Sequence, residues 1–267
     1  MAVDFLFKDK YNINDLIEIV RILRAPGGCP WDIKQTHASI KKDFIEETYE
    51  VVEAINKDDK TLLCEELGDV LLQVAFHSDI ERENGTFDFD DVADGICKKL
   101  IIRHPHVFGD VKADTADEVL TNWDEIKRRT KHQKSVAQSI DSIPRELPAL
   151  MRAAKIQSRA AKTGFDFDST DSALDKITEE TAELKEAVAS GDKAKISDEL
   201  GDLLFAAVNV ARFTGVEAEE SLTASSDKFS SRFKITEELA KQKNIDMKSA
   251  SIKELDVLWD EAKKLTK

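Results

Sequence analysis

The sequence has few of the residues that β-proteins depend on. Its 267 residues include only 10 glycines, 5 prolines and 7% aromatic residues. β-Sandwiches and barrels need many turn residues and β-formers, so this scarcity disfavours them. Hydrophobic residues make up 41% of the chain, which is enough to bury a core. The composition therefore predicts an all-α protein with one large domain or two of ordinary size.

Apolar runs, paired cysteines and basic residues are also scarce. No apolar run approaches the roughly 20 residues of a membrane-spanning helix, and the N-terminus lacks a signal-peptide core. Cys29, Cys64 and Cys97 form no CxxC pair, which favours reduced thiols in a cytoplasmic protein. The net charge is −14, from 39 basic and 53 acidic residues. Binding to duplex nucleic acid or to a membrane is therefore not expected.

The chain contains an internal repeat. The segment EETYE at 46–50 returns as EETAE at 179–183, and EELGDVLL at 65–72 returns as DELGDLLF at 198–205, both 133 residues later. Such self-similarity indicates two copies of one domain. We predict two homologous helical-bundle domains in tandem, residues 1–138 and 139–267, joined by a proline-containing linker within 131–148.

The 3.6-residue period of apolar positions predicts five helices in each copy. The predicted helices are 13–25, 36–56, 60–84, 89–103 and 115–131, then 146–162, 171–189, 193–214, 217–243 and 250–265. Asp88 and Ser249 are predicted N-caps. Glycine costs about 1 kcal/mol in a helix interior relative to alanine. Gly68 and Gly201, at the same place in each copy, therefore predict a close approach of two helices.

The repeated segments form an acidic helical hairpin in each copy. Residues three or four apart share one side of a helix. In each hairpin, carboxylates of the two helices therefore face one another in two pairs, one helical turn apart. The facing pairs are Glu50 with Glu66, Glu47 with Asp69, Glu183 with Glu199 and Glu180 with Asp202. Carboxylates this close repel one another and need a multivalent cation. Ligand sets made only of oxygen favour Mg²⁺, with Mn²⁺ as an alternative.

Ten carboxylates are the predicted metal ligands. They are Glu46, Glu47, Glu50, Glu66 and Asp69 in the first copy, and Glu179, Glu180, Glu183, Glu199 and Asp202 in the second. Mg²⁺ often shares its coordination sphere with substrate phosphates, and Lys228 and Arg232 provide a basic pair on one helix face. A carboxylate partly free of metal can act as general base toward water. The pattern therefore indicates a bound nucleoside triphosphate.

These motifs resemble the all-α nucleoside triphosphate pyrophosphohydrolase superfamily, and in particular its tandem MazG family. The resemblance rests on both acidic hairpins, on GGCPWD at 27–32, on IRHPHVF at 102–108 and on W-x-x-x-K beginning at Trp123 and Trp259. It implies Mg²⁺-dependent hydrolysis of NTP or dNTP to the monophosphate and pyrophosphate, in house-cleaning or regulation of nucleotide pools. It also implies a homodimer whose active site uses residues from more than one subunit.

The resemblance assigns roles to single residues. We expect the second copy to be the catalytic one, with Glu180 and Glu183 as catalytic carboxylates. Lys228 and Arg232 would bind phosphate, and Trp259 would stack on the base or close the pocket. The first copy would be active or regulatory.

One further interpretation and one local question stay open, while a third class of protein is disfavoured. A helical module that binds nucleotides without turnover fits the first copy equally well. A di-iron carboxylate bundle requires Glu-x-x-His on two helices, and no glutamate of the two acidic motifs has histidine three residues later. Phe165 and Phe167, ahead of the second acidic helix, fit either a base contact or a hydrophobic staple.

Overall fold

The computed structural model describes residues 5–112, 115, 118–119, 126 and 135–266, and within them the regular structure is helical with no β-strand. The predicted all-α class is therefore confirmed. The chain divides into two compact units, residues 1–130 and 131–267. This division lies slightly before the predicted boundary at 138/139. In the described part of the chain, no helix combines the length and the apolar character that crossing a bilayer requires.

The described part of the first unit has five helices. They are α1 (Ile13–Arg24), α2 (His37–Asn56), α3 (Lys60–Asn84), α4 (Phe89–Arg103) and α5 (Pro105–Phe108). The first four match predicted helices to within one residue. The short α5 was not predicted; it begins with Pro105, at a position where the missing N–H breaks no helical bond. The predicted helix at 115–131, including Trp123, lies almost entirely outside the described residues.

The second unit has six described helices. They are α6 (Val136–Asp141), α7 (Ala149–Ala161), α8 (Thr170–Ser190), α9 (Lys193–Thr214), α10 (Ala218–Gln242) and α11 (Ile252–Leu265). The last five match the predicted helices to within three residues. The additional helix α6 falls inside the expected linker and packs on α7, and Ile143 just beyond it is buried. This part of the expected linker therefore belongs to the fold of the second unit.

Each unit has its own hydrophobic core beside a helical hairpin. In the first unit α2 packs along α3, and Val20, Ile40 and Phe76 are buried together. In the second unit α8 packs along α9, and Leu239 of α10 is buried against Leu258 of α11. The two hairpins are the elements that carry the acidic motifs.

Side-chain caps define several helix starts. Asp88 accepts hydrogen bonds from two backbone N–H groups of α4, as predicted. The predicted cap Ser249 is wrong, because Ser251 caps α11 in a reciprocal pair with Glu254. A capping box needs an acidic residue or glutamine at the third helical position, and only Ser251 has a glutamate three residues later. Ser249 instead hydrogen-bonds to Asp246.

The start of α8 excludes a hydrophobic staple. Ser169 is the N-cap of this helix and accepts from the N–H of Ser172. The staple requires an apolar residue just before the cap, and that position holds Asp168. The phenylalanines of the 164–167 loop therefore have another role.

Gly68 and Gly201 do not mark a close helix approach inside the chain, so that prediction is wrong for packing within one chain. A Cβ atom built on Gly68 or Gly201 meets no heavy atom within 4 Å. Both residues lie on exposed sides of their helices, where packing within the chain does not require glycine. Gly191, in the turn between α8 and α9, is different because its φ of +70° favours glycine.

Candidate active site

Short turns set the register of the carboxylates in both hairpins. Asp59 caps α3 and Asp192 caps α9, and each accepts hydrogen bonds from two backbone N–H groups. The caps fix where the second helix of each hairpin begins. Residues at equal distances from the turn consequently face one another across the hairpin.

Three carboxylates converge in each unit. Their oxygen atoms lie within 4.8 Å of one another. The two sets are Glu47, Glu66 and Asp69 in the first unit, and Glu180, Glu199 and Asp202 in the second. In each set the first helix of the hairpin contributes one carboxylate and the second helix contributes two. Three oxygen donors at this spacing form part of the coordination shell that a hard divalent cation prefers.

The other predicted ligands surround these clusters. Glu50 lies within electrostatic range of Glu66 in the first unit, and Glu183 lies within electrostatic range of the cluster of the second. Glu46 pairs with a lysine at 2.8 Å and Glu179 with another at 2.9 Å. Six of the ten predicted ligands thus converge, while two border the clusters and two form ion pairs.

Burial and repulsion disfavour the charged form of several of these carboxylates. Burial raises the pKa of Glu47, and the negative charges of Asp69 and Glu50 raise it further. Burial also raises the pKa of Glu66, with the charge of Glu50 as the next cause. Glu183 has a raised pKa for the same two reasons, burial first and neighbouring carboxylates second. A bound cation would remove this repulsion.

Glu180 provides the clearest sign of a cation site. Its side chain is only 4% exposed. Its Oε1 atom lies 2.6 Å from Lys176 Nζ, whereas its buried Oε2 atom has no hydrogen-bond partner in the described chain. Hydrogen bonds to Glu180 and Glu179 raise the pKa of Lys176. Because an unpartnered buried carboxylate oxygen is costly, the residues present fit a divalent cation.

The predicted phosphate and base residues lie on α10 and α11. Lys228 is exposed, and Arg232 Nε donates to Thr266 Oγ1 at 3.1 Å. The Trp259 ring lies 5.0 Å from the ring of Phe229, measured between centroids. These contacts gather the three residues on the α10–α11 pair, whereas the carboxylates lie on the α8–α9 hairpin.

Sequence reasoning missed two features beside the second cluster. Lys176 precedes Glu180 by four residues, a spacing at which opposite charges pair on a helix, so its signal is present in the sequence. A pocket of about 320 Å³ lies between α7, the 164–167 loop and α9, and Gln157 and Asn209 are among its lining residues. Nothing in the sequence singles out Gln157.

The chain is similar to known proteins over nearly its whole length. The MazG nucleotide pyrophosphohydrolase domain matches residues 35–108 and 168–236, so each match contains one acidic hairpin. A nucleoside triphosphate pyrophosphohydrolase of Escherichia coli (strain K12) is 43% identical over 257 residues, which cover 94% of this chain and 97% of that protein. The nucleoside triphosphate pyrophosphohydrolase/pyrophosphatase MazG of Thermotoga maritima is 43% identical, with 93% and 94% covered. The uncharacterized protein YabN of Bacillus subtilis is 47% identical over 92% of this chain and 50% of that protein.

Proposed function

The chain belongs to the MazG nucleotide pyrophosphohydrolase family and is a nucleoside triphosphate pyrophosphohydrolase, and we propose that the carboxylate cluster of its second unit carries the reaction with Mg²⁺. The substrates are NTP or dNTP, and the products are the nucleoside monophosphate and pyrophosphate. The observation that supports this choice of site is the buried, unpartnered carboxylate oxygen of Glu180. Control of nucleotide pools is the proposed role.

The second unit supplies the groups that this hydrolysis needs. Glu180, Glu199 and Asp202 would hold Mg²⁺, with Glu179 and Glu183 beside them. When bound, the ion neutralises phosphate charge and makes a coordinated water more acidic. Lys176 orients Glu180 through its 2.6 Å ion pair.

Glu183 is the proposed general base. Glu183 lies within electrostatic range of the cluster and is not one of its three converging carboxylates, so it would stay free of the metal and could accept a proton. It would take a proton from the water as the water oxygen bonds to the α-phosphorus. The bond between the α-phosphorus and the α–β bridging oxygen then breaks, and pyrophosphate leaves with that oxygen.

Lys228, Arg232 and Trp259 are proposed to bind the nucleotide from α10 and α11. Arg232 donates to the neutral hydroxyl of Thr266, so this contact leaves the positive charge of the guanidinium uncompensated among the described residues, where it could bind a phosphate. The exposed ammonium of Lys228 lies one helical turn away on the same face. Trp259 would stack on the base or cover the bound nucleotide.

A homodimer is the proposed assembly. Ile45, Tyr49 and Val52 form an exposed apolar stripe along α2, and Leu200 and Leu204 are exposed on α9. Apolar surface of this kind commonly marks an interface. Light scattering coupled to size-exclusion chromatography should therefore give a mass of about twice the 29.9 kDa of one chain.

The first unit is the second candidate for a nucleotide site. Its cluster has the same composition as that of the second unit, which supports either turnover or nucleotide binding without turnover as a regulatory module. We also propose that the first domain ends before α6, a few residues ahead of the expected boundary at 138/139, because α6 packs on α7 of the second unit. Cys64 and Cys97 are exposed thiols, which supports work in a reducing compartment such as the cytoplasm.

Product analysis tests the reaction. The protein is incubated with Mg²⁺ and each common NTP and dNTP, and the nucleotide products are separated. We expect the monophosphate and pyrophosphate. Release of the diphosphate and phosphate would contradict cleavage between the α and β phosphates.

Two matched variants test which unit is catalytic. Glu180→Gln should lower kcat by at least about 100-fold, since it removes an anionic metal ligand. Glu47→Gln is the equivalent change in the first unit and should have a much smaller effect. Both variants should keep the helical circular dichroism of the wild type. Activity that persists in Glu180→Gln and falls in Glu47→Gln would move the reaction to the first unit.

A further inference from the structure

The pocket of the second unit has the size and walls of a small-molecule site. Its volume is about 320 Å³, within the usual range of ligand pockets. Phe165, Phe167 and Phe205 contribute three aromatic rings to its lining, and Asn209 contributes an amide. Apolar walls with a few polar groups are typical of sites that bind a flat heterocycle.

Helix α9 connects this pocket to the carboxylate cluster. Asp202 belongs to the cluster, while Phe205 and Asn209 line the pocket. These residues are three and seven positions further along, on the same side of the helix. Seven residues correspond to about 10 Å of helix length. A nucleotide with its phosphates at the cluster can therefore extend its base along α9 into the pocket.

Gln157 presents a buried hydrogen-bond acceptor in the pocket lining. The residue is 5% exposed, and its Nε2 atom donates to the backbone oxygen of Phe205 at 2.8 Å. Because a carbonyl oxygen only accepts, this bond identifies the two ends of the amide. The Oε1 atom is buried without a partner in the described chain. Oε1 is closed to solvent in the ligand-free chain, so a small shift of the amide toward the pocket would let it accept a hydrogen bond from an amino group or ring N–H of a nucleobase.

An ion pair holds the rim of the pocket. Arg212 donates to both carboxylate oxygens of Asp166 and to Asn209 Oδ1 at 2.8 Å. A bidentate contact of this kind fixes the relative position of the two side chains and also stabilises the pair. It ties the 164–167 loop to α9, and Phe165 in this loop remains 82% exposed. Its phenyl face is therefore accessible for stacking.

In the first unit, a charged side chain packs on the residue that aligns with Asn209. The 133-residue repeat aligns Phe76 with Asn209. The guanidinium of Arg24 lies 5.3 Å from the centroid of the Phe76 ring and donates to the backbone oxygen of Asp32 at 2.7 Å. Its side chain is 3% exposed and forms an ion pair with Asp79. The two units thus share the metal cluster and differ at this position.

We propose that the pocket of the second unit receives the nucleobase of the triphosphate, with Phe165 stacking on the base and Gln157 Oε1 accepting a hydrogen bond from it. The inference rests on the proposed function, because it takes the phosphates to lie at the cluster of the second unit. Every common nucleobase carries an N–H or amino donor, and stacking tolerates any base. The pocket therefore binds all common bases with modest preferences.

Three variants of the full chain test the proposal. Phe165→Ala removes the stacking ring and Gln157→Leu removes the acceptor. Trp31→Ala is the matched control, since Trp31 precedes the acidic hairpin of the first unit and is 60% exposed. The KM for ATP should rise about tenfold in Phe165→Ala and about fivefold in Gln157→Leu, with kcat little changed. The inhibition constant of inorganic tripolyphosphate, which has no base, should stay at the wild-type value.

Three other results would contradict binding of the base in this pocket. An unchanged KM in both pocket variants overturns the proposal. A rise in the inhibition constant of tripolyphosphate as large as the rise in KM overturns it too. A raised KM in Trp31→Ala alone would place the base at the first unit. Phe165→Ala changes an exposed ring, so this variant should fold, and circular dichroism checks it.

Calorimetry separates failure of the pocket from failure of the proposed function. A wild-type protein that releases no pyrophosphate would contradict the function. Binding of adenosine monophosphate, which needs no turnover, then tests the pocket. A loss of affinity of about tenfold in Phe165→Ala supports the proposal, while equal affinity, or no binding to the wild type, overturns it.

Discussion

At the scale of single residues, the clusters combine burial with like charge. Glu66 is buried on α3 with Glu50 and Asp69 nearby, and burial followed by these charges raises its pKa. Such an arrangement is unfavourable for the metal-free protein and favourable for one that holds a cation. Functional sites commonly lower stability in this way.

Replacing Glu66 should therefore stabilise the metal-free protein. Glu66→Gln removes one repelling charge and keeps the side-chain shape. The urea concentration at the unfolding midpoint, measured with a metal chelator present, should therefore rise. The stabilisation that Mg²⁺ gives to the first unit should disappear in this variant. Glu65→Gln, at an exposed neighbour on the same helix, is the control and should change both quantities much less, because the charge of Glu65 is the smallest cause of the raised pKa of Glu66. A lower midpoint for Glu66→Gln without metal would contradict this explanation.

A histidine pair gives the first unit a pH-dependent stability. The rings of His37 and His77 stack with 4.9 Å between centroids, and their Nδ1 atoms are 2.7 Å apart. Phe44 packs on His77, and Glu81 hydrogen-bonds to His37. Burial lowers the pKa of His77 below its ordinary 6.5, and the charge of His37 lowers it further.

The sign of this effect follows from proton binding. Between the lowered pKa of His77 and 6.5, the unfolded chain binds more protons than the folded one, so stability falls as the pH drops through this window. His77→Phe keeps an aromatic ring and removes the titrating group. We expect a shallower dependence of the free energy of unfolding on pH between about 5 and 7. Urea unfolding at several pH values measures this slope, and an equal slope in wild type and variant would show that His77 is not its source.

At the scale of secondary structure elements, the second helix of each acidic hairpin contains a glycine that packing within the chain does not require. A Cβ on Gly201 would meet open space. Gly191 in the adjoining turn has φ +70°, where a Cβ is strained. The same substitution should therefore have opposite effects at the two positions.

Gly201→Ala should raise the free energy of unfolding by up to about 1 kcal/mol, the difference in helix propensity. Gly191→Ala should lower it by about 1 kcal/mol, because the left-handed conformation disfavours alanine. Urea unfolding of both variants and of the wild type measures these two changes in the free energy of unfolding. A destabilised Gly201→Ala would mean that another surface, such as a second copy of the chain, packs on this face.

At the scale of the whole molecule, the charge of −14 makes the folded chain repel itself. Sodium chloride screens this repulsion without specific binding. Mg²⁺ would both screen this repulsion and bind the proposed sites at the clusters. Comparing the two salts at equal ionic strength therefore separates screening from binding.

Magnesium chloride should stabilise the protein more than sodium chloride does. At a Mg²⁺ concentration 100 times the Kd, one site contributes about 2.7 kcal/mol. The double variant Glu47→Gln/Glu180→Gln removes one ligand from each cluster and should respond equally to both salts. Thermal unfolding measures the difference, and equal stabilisation of the wild type by both salts would argue against a specific cation site.

Local signals explain why most helices could be predicted. The bounds of α3 and α9 agree with the predicted segments, because apolar period, caps and turn residues all lie within the element. Helix α6 was missed because it is short and is stabilised by packing on α7. The error at Ser249 arose from a cap signal that lacked its glutamate partner, which Ser251 has.

By itself, the sequence determined the helical class, the duplication and the facing of carboxylates such as Glu180 and Asp202. These properties depend on spacing along the chain, which helix geometry converts directly into position. Only the tertiary structure decided that the second unit has an open pocket along α9, whereas Arg24 packs on Phe76 at the aligned position of the first unit. The reason is that a pocket depends on contacts between distant residues, such as Gln157 and Phe205, which lie 48 positions apart. No local pattern encodes such contacts.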